Sequence, residues 1–181
     1  MSGSYEPLPQ DNYWMKQAQL LAAHAAAQGE VPIGAIVVRD QAAIGLGWNR
    51  RERLQRITEH AELMALKDAC DQLHSWRLDG CDLYVTLEPC LMCAGAIQQA
   101  RIRRLIFGAS DPKTGAIHSK WHSYDIDGLN HIVSWTAGVR DEACSQQLKL
   151  FFRQLRWENK QKEEILGGRG ARRRKAKGQS P

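Results

Sequence analysis

The sequence predicts an α/β sandwich built on one sheet. Three observations carry this expectation. Stretches with helical apolar periodicity alternate along the chain with short apolar and β-branched runs, the pattern of a layered α/β domain. The chain has 181 residues, enough for one domain with a substantial core. Hydrophobic residues make up 43% and charged residues 25%, which is ordinary for a globular protein and excludes wholesale disorder. No apolar run approaches the length of a membrane span. Residues 1–10 lack the basic and apolar regions of a secretory signal and read as a flexible leader.

Asp11 or Asn12 can cap a first helix, with Trp14, Ala18, Leu21, Ala22 and Ala25 on one face and Gly29 ending it. Residues 33–39 and 43–48 are strand-like and are split by Asp40-Gln41, which predicts a hairpin. Residues 49–57 form a polar loop with four arginines. Thr58 can cap a helix to about Leu73 that buries Ala61, Met64, Ala65 and Leu66. Residues 83–87 read as a buried strand. Pro89 suits the first turn of the next helix, which runs to about Ala100. Residues 102–107 form a further strand. Residues 108–131 make a connection long enough to suspect a functional loop, and 132–136 a short strand. Asp141 or Glu142 opens a last helix through Cys144, Leu148, Phe151, Phe152 and Leu155 to about Ile165. Gly167-Gly168 is expected to break it into a disordered basic tail, 167–181.

The net charge of +5 is misleading. Six basic residues and no acidic one lie from Arg169 onward, which leaves residues 1–168 at −1. The charge belongs to the tail and does not mark a nucleic-acid-binding fold. Five cysteines, an odd count without an export signal, point to a reducing cytoplasm rather than a disulfide framework.

Two segments carry chemistry: His60-Ala61-Glu62 and Pro89-Cys90-Leu91-Met92-Cys93. One imidazole and two thiolates suit zinc. Cys90 and Cys93 are three apart, so on a helix they share a face, and a helix N-terminus favours thiolate. His60 also falls at a helix start. Three protein ligands leave a position for water, the mark of a catalytic rather than a structural site. Glu62 then stands beside that position as a proton carrier. Cys70, Cys81 or His74 as a fourth ligand would instead make the metal structural.

This H-x-E…P-C-x-x-C pattern is the signature of the zinc deaminases. Further segments follow in order: Glu30-Val31-Pro32-Ile33-Gly34-Ala35, Gly47-Trp48-Asn49-Arg50, Thr86-Leu87-Glu88-Pro89-Cys90-Leu91-Met92-Cys93-Ala94-Gly95-Ala96, Asp111-Pro112-Lys113-Thr114-Gly115 and Phe151-Phe152-Arg153. Together they resemble the bacterial tRNA-specific adenosine deaminases, within the cytidine and deoxycytidylate deaminase superfamily. The resemblance implies a cytidine-deaminase-like, three-layer α/β/α sandwich over residues 11–166, with one mixed sheet and helices on both faces. It implies hydrolytic conversion of the wobble adenosine of a tRNA anticodon to inosine, with arginine tRNA of anticodon ACG as substrate. It implies one Zn2+ per subunit on His60, Cys90 and Cys93, with Glu62 shuttling protons. It places Asn49, Val31 and Ala61 in the base pocket, and Asp111, Lys113, Asn130, Phe151, Phe152, Arg153 and Arg156 on the anticodon stem-loop. It also implies a cytoplasmic homodimer, away from any membrane. The chain departs from the family at residues 55–59, and at Trp121, His122 and Tyr124.

Two other readings compete. One is a zinc deaminase of a free base or nucleotide such as cytosine, guanine or dCMP. The other is a non-catalytic RNA-binding module with a structural zinc.

Overall fold

The computed structural model describes the backbone of residues 5–177 and the side chains of residues 5–165. Five strands form one mixed sheet in the order β2-β1-β3-β4-β5. The elements are α1 (Asp11–Ala27), β1 (Gly34–Arg39), β2 (Ala42–Trp48), α2 (Arg51–Leu54), α3 (Ala61–Leu73), β3 (Asp82–Leu87), α4 (Leu91–Gln99), β4 (Arg104–Ala109), β5 (Ser134–Thr136) and α5 (Asp141–Lys177). β1 runs antiparallel to β2 and to β3, while β3, β4 and β5 are mutually parallel. The three-layer sandwich expected from the sequence is present.

Strand periodicity builds the layers. Ala35 and Val37 of β1, Leu83 and Val85 of β3, and Leu105 and Phe107 of β4 point to one face, where Ala61, Ala65, Leu66, Ala94 and Ile97 of α3 and α4 cover them. The alternate residues Ile36, Val38, Tyr84 and Ile106 point to the other face, against Trp14, Met15 and Ala18 of α1 and Cys144 of α5. The hairpin between β1 and β2 turns on Asp40 and Gln41, both at positive φ, the geometry a two-residue hairpin turn requires.

This topology positions the site. β2 and β3 are each antiparallel to β1, so they run in the same direction. α3 follows β2 and α4 follows β3, which brings both helix N-termini to one edge of the sheet. Gly47 lets α3 lie directly on β2: a Cβ there would stand 2.0 Å from the Ala61 carbonyl oxygen.

Several expected boundaries are corrected. His60, not Thr58, occupies the cap position of α3. The loop after β2 contains the single helical turn α2. β4 begins at Arg104 rather than Ile102, because Ile102 closes the end of α4 through its N–H to the Ile97 carbonyl. β5 is shortened to Ser134–Thr136. α5 continues through Gly167 and Gly168 to Lys177, past the expected break near Ile165. The side chains of residues 166–177, and residues 178–181, lie outside the described residues. Residues 1–4 of the expected leader also lie outside them, while the Tyr5 N–H bonds to the Trp135 carbonyl at 3.0 Å. Among the described residues, no helix is long and apolar enough to cross a membrane.

Candidate metal centre and active-site pocket

His60 and Cys90 are both helix-cap residues in extended conformation, with φ/ψ of −76°/150° and −76°/173°. Neither side chain caps its own helix. Each is therefore free to point across the gap between the two helix starts instead of folding back on its own amides. Cys93, one turn into α4, is fully buried beneath them. The Nδ1 atom of His60 lies 3.8 Å from Cys90 Sγ and 3.5 Å from Cys93 Sγ. All three ligand atoms fall within 4.8 Å of one another. Bond lengths of roughly 2.3 Å to sulfur and 2.0–2.1 Å to nitrogen, at tetrahedral angles, put ligand atoms about 3.6–3.8 Å apart. The donor set and its spacing fit zinc.

The alternative fourth ligands do not join this cluster. His74 caps the far end of α3. Cys70 is in the last turns of that helix, and Cys81 precedes β3, at the strand end opposite Cys90. Among the described residues the group has three members, so a tetrahedral metal held there would keep one position for a further ligand.

The electrostatics suit a cation. A hydrogen bond from Cys93 and the neighbouring His60 push the Cys90 thiol down to about 4, against its burial. Its bond to Cys90, burial and the nearby Glu62 charge raise Cys93. The bond to the Cys90 sulfur raises His60. These shifts favour charge on the Cys90 sulfur, and a dication bound there would take both sulfurs as thiolates. Glu62, on the second residue of α3, is 4% exposed, and burial lifts it above the usual carboxylate range.

Asn49 reaches the same edge from the end of β2. Its N–H bonds the Ile33 carbonyl at 3.0 Å, and the Arg50 N–H bonds the Glu59 carbonyl at 3.0 Å. The Arg50–Glu59 ion pair, also 3.0 Å, closes this loop and brings Asn49 beside His60. The divergent segment 55–59 is thus held at its end by one backbone and one ionic contact. Val31, half-buried, belongs to the turn that pairs with Asn49 through Ile33. Ala61 is buried at the start of α3, where first-turn amides have no intrahelical acceptor.

The family model for MafB19-like deaminases matches residues 10–156. A tRNA-specific adenosine deaminase of Haemophilus influenzae is 47% identical over 157 residues, covering 86% of this chain and 91% of that one. A solved structure from a study of A-to-I editing by tRNA:A34 deaminases at the wobble position of transfer RNA aligns with a TM-score of 0.73 and 42% identity. It covers 75% of this chain and 99% of that one. The chain belongs to the tRNA-specific adenosine deaminase family. A guanine deaminase from Bacillus subtilis is similar at 38% identity and a TM-score of 0.53, over 54% of this chain and 63% of that one.

The deaminase's long connection, residues 108–131, is folded around a residue to which sequence reasoning gave no role. Glu88 is buried, and its carboxylate accepts from the backbone N–H groups of Asp111, Ile117, His118 and Ser119 at 2.9–3.1 Å, and from the Ser119 hydroxyl. Burial opposes its charge, but these bonds hold Glu88 below the usual carboxylate range. The Asp111 carboxylate caps its own turn through the N–H groups of Lys113 and Thr114. Lys113 is exposed. Tyr124 is core rather than surface: its hydroxyl donates to the Ala94 carbonyl of α4. Trp121 and His122 are exposed.

The remaining expected RNA contacts separate. Phe151 is half-buried in a groove of about 350 Å³ between α1 and α5, with Ala26, Gly29 and Pro32. Phe152, Arg153 and Arg156 are exposed. Asn130 lies apart from the metal cluster. Its side-chain oxygen accepts from Gln98 and Arg101 at the C-terminal end of α4, a helix length of about 13 Å from Cys90. Glu30 is the other residue that sequence reasoning left without a role. No local signal marked Glu30 or Glu88, because the partners of each are more than 18 residues away.

Proposed function

We propose that the protein hydrolytically deaminates adenosine at the wobble position of a tRNA anticodon, with arginine tRNA of anticodon ACG as substrate. The observation that carries this reading is one open three-ligand cluster, built from two helix caps, with a buried carboxylate two residues from its histidine. His60, Cys90 and Cys93 would hold a zinc ion, which when bound would acidify a water towards neutrality. Glu62 would carry the two protons of the consumed water in turn, the first to the purine ring nitrogen and the second to the departing amine, so that adenosine and water become inosine and ammonia. Its raised affinity for protons suits a group that must both accept and give them.

The target base must leave its stack to reach the carboxylate. Asn49, Val31 and Ala61 line the place it enters. Lys113, Arg153 and Arg156 meet phosphates, Asp111 holds the loop that presents Lys113, and Phe152 offers a face for stacking while Phe151 braces it. The active form is a cytoplasmic homodimer.

The test is an assay on purified protein. Inosine is expected in arginine tRNA with an ACG anticodon, and no product from free adenosine, guanine or cytidine. Turnover of a free base without turnover of tRNA would overturn the reading in favour of a free-base deaminase.

A further inference from the structure

Glu30 is 1% exposed, and all its described side-chain bonds go to the segment that carries Asn49. Oε2 accepts from Asn49 Nδ2 at 3.1 Å and from the Glu52 N–H at 3.2 Å. Oε1 accepts from the Arg53 N–H at 2.6 Å. Burying a carboxylate is costly unless its lone pairs are met, and here they are met by one side chain and two first-turn amides of α2. Gly29, at positive φ, ends α1 in a turn in which the Glu30 N–H returns to the Ala25 carbonyl, and this aims Glu30 inward.

A carboxylate offers acceptors only, whereas an amide side chain has one donor end and one acceptor end. Asn49 can satisfy Glu30 only with its NH2 end. The amide is therefore locked against flipping, and Oδ1 with the second N–H face away from Glu30 in a set order. The backbone of Asn49 is pinned independently to Ile33. We propose that Glu30 is a positioning residue: it fixes the amide orientation of Asn49 and thereby the seating of the target base. This rests on the reading of Asn49 as a pocket residue given above.

Glu30→Gln separates orientation from bracing. Glutamine keeps an acceptor for the Arg53 N–H but turns an N–H towards Asn49 and the Glu52 amide, which lets the Asn49 amide invert. Docking of a whole tRNA depends on contacts remote from the pocket, so KM should move less than about two-fold while kcat falls about ten-fold or more. Melting temperature and metal content should match the wild type. In an Asn49→Ala background the same change should cost nothing further, since the amide it orients is gone. If Asn49→Ala itself leaves kcat unchanged, Asn49 is not a pocket residue and the inference falls with that reading. If Asn49→Ala slows turnover but Glu30→Gln does not, or the two losses multiply, the inference about Glu30 alone is wrong. A Glu30→Gln protein that unfolds or loses its metal makes Glu30 a structural residue and also overturns it.

Discussion

His60 and Cys90 stand at helix-cap positions without capping, and this local departure is what makes a ligand cluster. A side chain that satisfied the helix amides would be turned away from its partner. Cys93→Ala removes a buried ligand, so it is expected to purify without stoichiometric metal, as read by elemental analysis, while Glu62→Ala keeps its metal. The other thiols behave differently. Burial pushes Cys144 up to about 11. It stays a neutral thiol at pH 8, and it should resist alkylation in the native protein and react only after denaturation, as followed by mass spectrometry. Labelling of native Cys144 at pH 8 would contradict its packing between α5 and β4.

At the scale of elements, the site depends on how closely α3 lies on β2 and on how firmly the long connection grips Glu88. Gly47→Ala places a methyl group against the Ala61 carbonyl, and should cost on the order of 3 kcal/mol in urea unfolding. It should lower activity as well, because it displaces the helix that starts at His60. Glu88→Gln leaves several N–H groups competing for one neutral oxygen. It should cost about 2 kcal/mol and raise KM for tRNA, as the loop bearing Lys113 loosens. The hairpin, the helix order and the candidate metal cluster were legible in sequence, because each rests on local periodicity or short spacing. Thr58 looked like a cap because a hydroxyl before an apolar stripe ordinarily caps, but the helix begins two residues later, where His60 is needed for the cluster. Glu30 and Glu88 were given no role for a shared reason: their partners are distant in sequence and appear only when the sheet assembles.

Across the whole molecule, the charge is divided. Residues 1–168 carry −1 and the remainder +6, so the net charge of the fold supplies no general attraction for nucleic acid. Recognition in this account rests on a pocket and a few placed side chains, with the tail adding unspecific phosphate contact. Truncation after Leu166 should leave kcat on saturating tRNA unchanged. It should weaken binding at moderate salt and make it less salt-dependent, as measured in a titration series. Unchanged affinity across the series would show the tail to be inert.

The central claim is that the open cluster and Glu62 act together on a tRNA adenosine. The most direct measurement is inosine at the wobble position of arginine tRNA, quantified after incubation with zinc-loaded wild-type protein and zinc-loaded Glu62→Ala. Inosine is expected with the wild type and a loss of about 10²-fold or more with the variant, at equal metal content. Inosine formed at similar rates by both proteins would contradict it.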